Sequence, residues 1–426
     1  MSTSTRMVFR GGTVFDAVGR TTDTADVAVE DGVIVAVGSD LDGDVEVDCT
    51  GCGVLPGLFD CHVHLTMSDT DVFRVAQEPF SLQFYEGAVN MAATLAAGIT
   101  TVRDAGGADL GMRVAQERGL IPGPRMQVSL NMLSQTGGHG DPWWPSTCVM
   151  DLLPPHPGRP PVVVDGPEEI RRKVREFVRA GADVIKVATS GGLVSSGAGP
   201  EIPHFRDDEI AMLVTEATAA RRFVMAHAHG EGAKAAVRNG VRSIEHGNQL
   251  DDETLEEMAR RRVWLVPTLA SGLGLRQSVE NGVTYPEHIM EKIEQAEANR
   301  SVRRAVEAGV PIAMGTDAPL YPHGQNLVEL ALLVEEGMTP ADALHAATLS
   351  AAELMGLHET LGSIEPGKRA DLVIVDGDPL RVEGLGERVR AVYQDGRAVG
   401  VRPDPSGPAQ SATSAASFSN DASVSR

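Results

Sequence analysis

Val54-Leu55-Pro56-Gly57-Leu58-Phe59-Asp60-Cys61-His62-Val63-His64 is the stretch on which the fold turns. It is an apolar, strand-like run that closes on two histidines one residue apart. Residues i and i+2 of a β-strand face the same way, so both imidazoles can converge on one metal ion. A lone His-x-His also fits a packed, hydrogen-bonded strand that holds no ion. Four later residues alter that balance: Lys186, His227, His246 and Asp317 each lie at or near the end of an apolar, strand-like run. Together the six form a candidate ligand set for a two-metal hydrolytic centre.

Working outward, the middle of the chain alternates short apolar runs with amphipathic helical stretches. Eight strands are predicted, at Val54–His62, Thr100–Arg103, Met126–Leu130, Val184–Ala188, Phe223–His227, Arg242–Glu245, Val263–Pro267 and Ile312–Gly315. Helices such as Glu168–Ala180 and Asp251–Arg261 separate them. Near-continuous apolar strands joined by helices indicate a parallel sheet, and eight such units an α/β fold of the (β/α)8 TIM-like barrel type over 58–361. In that fold the chemistry gathers at the C-terminal ends of the strands, where the six candidates fall.

The two ends of the chain have a different texture. Val8-Phe9-Arg10, Val27-Ala28-Val29 and Val33–Val37 are short runs broken by Gly and Asp, and the pattern returns at Asp371–Val375 and Val389–Val401, with Asp395-Gly396 as a hairpin turn. This predicts small antiparallel strands forming a β-sandwich domain built from both termini, 1–57 with 362–401. The Pro-, Ser- and Ala-rich segment 402–426 has little to bury and reads as a disordered tail.

Composition excludes several classes of partner. The net charge is −22, from 37 basic and 59 acidic residues, and the basic residues form no stripe or arm, so neither nucleic acid nor an acidic membrane surface is expected. No signal-type apolar segment follows Met1–Arg6, and the apolar stretch Ala88–Val102 reads as helix running into strand; a cytoplasmic protein is expected. Four cysteines, Cys49, Cys52, Cys61 and Cys148, are too few for a disulfide scaffold. Cys49-x-x-Cys52 lacks the second pair a zinc knuckle needs, which leaves two reduced structural thiols. The expected partners are a small-molecule substrate and further copies of the chain.

The motifs as a set resemble the amidohydrolase superfamily of metal-dependent hydrolases, close to its dipeptidase-like and imidazolonepropionase-like branches. The resemblance is carried by Pro56–His64, Asp183-Val184-Ile185-Lys186, Ala226-His227-Ala228-His229-Gly230, Ser243-Ile244-Glu245-His246-Gly247, Gly315-Thr316-Asp317-Ala318 and Gly362–Val373, and it runs to about Arg402. It implies two divalent ions, zinc being expected. His62, His64 and Asp317 would share one ion with a carbamate formed by CO2 on Lys186, whose two oxygens can bridge to the second ion, and His227 and His246 would hold that second one. It further implies a hydroxide shared by the ions that attacks a scissile carbonyl, with Asp317 as general base and then general acid.

Alternatives stay open at several of these positions. Lys186 could instead be an inward ammonium paired with an acidic neighbour, since an unpaired buried charge is expensive. His227 and His229 lie on one face; the resemblance favours His227 as ligand and leaves His229 to the substrate or to a supporting hydrogen bond. His139, in the loop Gln135-Thr136-Gly137-Gly138-His139-Gly140-Asp141, is a candidate for polarising the substrate carbonyl or an ordinary loop histidine, and His323 is a candidate pocket residue on similar terms. His156, His204, His288, His345 and His358 have no comparable setting and are expected to be exposed or packed. The segment Asn131–Asp165, with Trp143-Trp144, is long for a plain connection and is expected to cover the site.

Two function classes follow. The first is a hydrolase of an amide or peptide-like bond in a small substrate such as a dipeptide of Xaa-Pro type, with non-peptide amides, carbamates, ureas or cyclic amides as the alternative. The second is a catalytically silent relative serving as a scaffold. Loss of metal ligands would mark the second, and all six candidates are present.

Overall fold

The computed structural model describes residues 5–144, 146–193, 199–283 and 287–401, so the expected tail, 402–426, lies outside the described residues. Five strands come first: β1 (Met7–Asp16), β2 (Thr21–Glu30), β3 (Val33–Gly38), β4 (Val45–Asp48) and β5 (Cys52–Pro56). The central region supplies β6 (Leu58–Val63), β7 (Ile99–Asp104), β8 (Arg125–Val128), β9 (Met132–Leu133), β10 (Val184–Ala188), β11 (Phe223–Ala228), β12 (Ser243–His246) and β13 (Trp264–Val266). The last three are β14 (Leu372–Asp376), β15 (Val389–Gln394) and β16 (Arg397–Val401).

The first and last strands form one eight-stranded sheet, because β14 pairs antiparallel with β5 and so joins the two ends of the chain. Not every pair is antiparallel, as the sequence had suggested. β1 shifts register between Phe9 and Gly12, and this lets its first half pair β4 and its second half pair β5, both in parallel. The strand alternation gives the sheet two apolar faces: Leu372 and Ile374 join Phe9, Val27 and Ile34 in a core of their own, whereas Val373 and Val375 join Leu55 in the main core. Cys49 and Cys52 are free and buried in the terminal core, and desolvation pushes the Cys49 thiol up to about 12.

The single strand expected at Val54–His62 is two strands, β5 in the terminal sheet and β6 in the central region, separated at Gly57. A Cβ at Gly57 would lie 2.2 Å from Thr100 Oγ1, so the chain passes between the two sheets at a point where no side chain fits. Central strands β6, β7 and β8 are parallel, as are β9 to β13. Among the described residues, two backbone connections link these sheets. Asp183 N donates to Val128 O (2.8 Å), between β8 and β10. The segment 311–318 is the other link: Ala313 N donates to Leu265 O (3.0 Å), while Cys61 N donates to Met314 O (2.8 Å) and Asp317 N to His62 O (2.8 Å). It stands where the eighth strand was expected, and it makes isolated bridges to Leu265 and Val63 rather than a continuous ladder.

Helices cover the outer faces. Pro167–Ala180 and Asp252–Arg261 match their expected spans within a residue, and the Asp251 side chain caps the second by accepting from Thr254 N. Ala88–Val102 is the end of the helix Leu82–Ala96 followed by β7. No helix of the described residues is long and apolar enough to cross a membrane.

Candidate metal centre

The six candidate ligands come from the C-terminal ends of β6, β10, β11 and β12 and from the 311–318 segment. His62 lies within β6 and His64 one residue beyond it. Lys186 is in β10, opposite Met225 of β11, and His227 and His246 sit near the ends of β11 and β12. Asp317 and His246 both adopt positive φ, 59° and 69°, which turns each side chain inward where the strand direction is lost.

The side chains meet at short range. Asp317 Oδ1 is 3.4 Å from His62 Nε2 and 3.2 Å from His64 Nε2. Donor atoms of His62, His246 and Asp317 lie within 4.8 Å of one another. Lys186 Nζ is 3.4 Å from His62 Nε2. The His227 and His246 rings are 4.5 Å apart, and His139 stacks on His227 at 4.3 Å.

The hydrogen bonds made by each ring set which of its nitrogens is left as an acceptor. His62 Nδ1 donates to Glu245 Oε2 (2.7 Å) and His64 Nδ1 to Gly106 O (2.8 Å), so in each neutral ring Nε2 carries a lone pair. Both lone pairs face Asp317 Oδ1, itself an acceptor. Three acceptors pointed at one another with no proton among them repel, and a cation between them removes the repulsion. This is also the outer hydrogen bonding usual for metal-bound histidine. Burial, followed by the Lys186 ammonium, pushes the His62 imidazole down to about 4 and keeps it in the ligating form. Burial likewise holds His227 and His246 well below the ordinary value. Burial alone would raise the Asp317 carboxyl, but His62, His64 and His246 hold it well below the carboxylate range. His64 is the exception: against the effect of burial, Asp317 raises it. A proton on His64 and a metal ion are thus alternative ways of satisfying the same atoms.

Lys186 is buried, and burial lowers its amine to about 8 against the pull of Glu245 and Asp317. Among the described residues it forms no ion pair with a carboxylate, which is the arrangement the bland alternative required.

His227 and His229 differ in their free nitrogens. His227 Nε2 lies 3.3 Å from Gly191 O and donates to it, which leaves Nδ1 as the lone pair. His229 Nδ1 accepts from Asn248 N (3.4 Å), which places the proton on a buried Nε2 that has no partner among the described residues. His139 Nδ1 is also buried without a partner among the described residues. His323 points elsewhere: its Nε2 donates to the carbonyls of His64 and Met67, both at 3.3 Å, so that nitrogen orders the turn after β6. The segment 131–165 brings His139 onto His227, and within it Trp143 is half exposed while Trp144 packs near Phe73 at 6.3 Å.

A model of the amidohydrolase family matches residues 54–415. The chain belongs to the amidohydrolase family. Ochratoxinase of Aspergillus niger is 34% identical over 369 residues, covering 81% of this chain and 73% of that protein. The crystal structure of a Xaa-Pro dipeptidase with bound methionine in its active site superposes with a TM-score of 0.84 at 31% identity, covering 92% of this chain and 99% of the other. Imidazolonepropionase of Geobacillus thermodenitrificans is 35% identical over 148 residues, 34% of this chain and 30% of that one. This amidohydrolase is accordingly a hydrolase of amide-type carbon–nitrogen bonds, and its family generally uses divalent metals.

Sequence reasoning missed the layer beneath the candidate ligands. Glu245 is fully buried; besides holding His62, its Oε1 accepts from Arg103 Nη2 (2.9 Å) and Ser243 Oγ (2.5 Å). Arg103 also donates to Cys61 O (2.7 Å), so one buried ion pair ties β6, β7 and β12 together under the amidohydrolase centre. Asp60 does the same for the 311–318 segment, accepting from Thr316 Oγ1 (2.7 Å), Thr316 N (3.1 Å) and Asn326 Nδ2 (2.8 Å). The signal was there: Asp60, Arg103 and Glu245 are charged residues inside apolar strands, where only a partner makes burial tolerable.

Proposed function

We propose that this amidohydrolase cleaves the amide or peptide-like bond of a small substrate, a dipeptide of Xaa-Pro type or a close relative, at a pair of divalent ions, zinc being the expected metal. In this reading His62, His64, Asp317 and carboxylated Lys186 hold one ion, and His227 and His246 hold the other. The observation that carries it is the convergence of the His62, His64 and Asp317 acceptor atoms. The Nδ1 lone pair of His227 supports its place over His229. A buried amine lowered to about 8 keeps a neutral fraction near neutral pH, and that fraction adds CO2 to give an anionic carbamate and a released proton. When bound, the ions supply Lewis acidity toward the carbonyl and make water a better nucleophile near neutral pH.

The chain's own groups do the rest. Asp317, ionised across the working range, accepts the proton of the attacking water and delivers it to the leaving amine. His139, stacked on His227 with Nδ1 free, is placed to hydrogen-bond the carbonyl oxygen as negative charge develops. His229 offers its unpartnered Nε2–H to the substrate. Glu245 and Arg103 fix the rotamer of His62. We read the two linked parallel sheets as one (β/α)8 barrel over 58–361, and the terminal sheet, 1–57 with 362–401, as a small β-sandwich domain packed on it.

The likeness to ochratoxinase, which is not named as a peptidase, favours hydrolysis of a non-peptide amide as the second reading. The presence of all six ligand types speaks against a silent scaffold. The test is turnover by metal-loaded, bicarbonate-supplied enzyme on a dipeptide library that includes Xaa-Pro members, beside a panel of aryl amides, carbamates, ureas and cyclic amides. Cleavage within the dipeptide library is expected. Cleavage confined to the second panel would install the second reading, and none in either panel by fully metallated protein would contradict both.

A further inference from the structure

Thr268 precedes the first turn of the helix Leu269–Glu280, where a threonine ordinarily caps its own helix by accepting from a backbone N–H. Here it does not. The side chain makes no cap hydrogen bond, and Thr268 Oγ1 instead meets His246 Nδ1 at 2.7 Å. The backbone gives the reason. Thr268 has φ 52° and ψ 45°, a left-handed conformation that is costly for a β-branched residue, whereas a capping residue is extended. The hydroxyl is thereby turned from its own helix toward His246.

The capping falls to a residue of a distant helix. Glu329, in the helix Val328–Glu335, is fully buried and accepts from Leu269 N on Oε1 (2.9 Å) and from Ala270 N on Oε2 (2.7 Å). These are the first two donors of the Leu269–Glu280 helix, which no earlier turn can satisfy. A helix N-terminus favours negative charge on those oxygens. Burial works the other way and pushes the Glu329 carboxyl up to about 8. A carboxyl held in the core against that opposition meets a need that the Thr268 hydroxyl cannot meet while it serves His246.

The same glutamate is tied to the other half of the centre. Glu329 N donates to Asn326 O (3.2 Å), and Asn326 Nδ2 donates to Asp60 Oδ2 (2.8 Å), the carboxylate that orders the 311–318 segment. His246 also differs from the other candidate ligands in its support. The Glu245 carboxylate holds His62, and backbone carbonyls hold His64 and His227. Among the described residues His246 Nδ1 relies on one hydroxyl, whose place depends on an unfavourable backbone conformation.

We propose that Glu329 is a positioning residue for the second ion: by capping the Leu269–Glu280 helix from outside, it releases the Thr268 hydroxyl to hold His246. Without Glu329, Thr268 returns to an extended conformation, caps its own helix and leaves His246 Nδ1 unsupported. This deepens the metal-hydrolase reading and rests on it for an ion at His227 and His246.

The test is a double-mutant cycle on the full-length protein with two readouts. One is the dissociation constant of each zinc ion. The other is the set of ring resonances of metal-free, 15N-histidine-labelled protein, with His246 assigned by its loss in His246→Gln. Glu329→Gln weakens the second ion at least about tenfold and leaves the first unchanged, the scale usual for partners of metal-bound histidine. Thr268→Val weakens it equally, Thr268→Ser recovers it, and the double variant is no worse than Thr268→Val alone, because both changes remove one hydrogen bond. In metal-free protein both variants move the His246 Nδ1 resonance alike and leave the other histidines in place. Additive losses, or losses at both ions, would show that Glu329 acts through general packing and would overturn the proposal. If the glutamine variant fails to fold, Glu329→Asp, whose shorter side chain cannot span both N–H groups, takes its place in the cycle. Thr268→Val with an unaltered second ion overturns the proposal whichever Glu329 variant folds. A wild type that binds one ion, with the His246 shifts as expected, removes the two-metal reading and leaves the hold of Glu329 on His246 standing. Two bound ions with neither readout altered would do the reverse.

Discussion

Lys186→Ala is expected to cut turnover by at least about a thousandfold, the scale seen when one member of an interdependent catalytic unit is removed. The side chain is 1% exposed, and its Nζ reaches the same His62 Nε2 that faces Asp317. Truncation therefore removes the anionic oxygens that a carbamate on Lys186 would offer to a metal ion and leaves a cavity beside the candidate ligands. That cavity makes the prediction sharper. Formate, acetate or propionate supplied with metal should enter it, place a carboxylate where the carbamate was, and restore part of the rate. Mass spectrometry under acid is not a suitable check, because the carbamate loses CO2 there. Near-wild-type turnover of the variant would contradict the assignment. So would a crystal structure of fully active enzyme in which Lys186 is an ammonium paired with a carboxylate.

Asp317→Asn is expected to lower kcat by at least about a hundredfold, the contribution usual for a positioned acid–base group, while much of the metal is kept. The amide preserves the shape and one acceptor oxygen toward His62 and His64, and it removes the basic oxygen. Titration adds a second signature. The imidazoles around it hold the Asp317 carboxyl well below the carboxylate range, so in the metal-free protein its ionised form stabilises the fold above the ordinary carboxylate pKa. That stabilisation is lost only as pH falls through the depressed value. The asparagine variant should lack this acid-side loss of stability, as measured by Tm against pH in metal-free protein. In the loaded enzyme, the acidic limb of the pH–rate profile belongs to Asp317 and the activated water as a coupled pair. A variant that kept both metals and the wild-type rate would move the proton shuttle elsewhere, with His139 the next candidate.

The strand positions were legible because parallel strands buried on both faces read as apolar runs, and the histidines at their ends stood out against them. β10 begins and ends where the sequence placed it, at Val184 and Ala188. What the sequence hid was any feature set by contact between distant segments. The run from Val54 to His62 reads as one apolar stretch only if its Pro56-Gly57 is passed over, and it serves two sheets, because Thr100 lies where a side chain at position 57 would go. The 311–318 segment looks like a strand, but its irregular backbone, with Asp317 at positive φ, leaves bridges to both neighbours and no ladder. The supporting layer of Asp60, Arg103 and Glu245 was visible as charge in apolar strands and still could not be paired, since Arg103 and Glu245 are 142 residues apart.

The central claim is that acceptor atoms of His62, His64 and Asp317 converge to hold a metal ion, one of a pair. Elemental analysis of chelator-free protein, wild type beside a His62→Ala/His64→Ala double variant, tests it most directly. About two divalent ions per chain are expected in the wild type and at least one fewer in the double variant, with the terminal sheet still folded. Retention of both ions by the double variant, or a fully active wild type that carries none, would contradict the account.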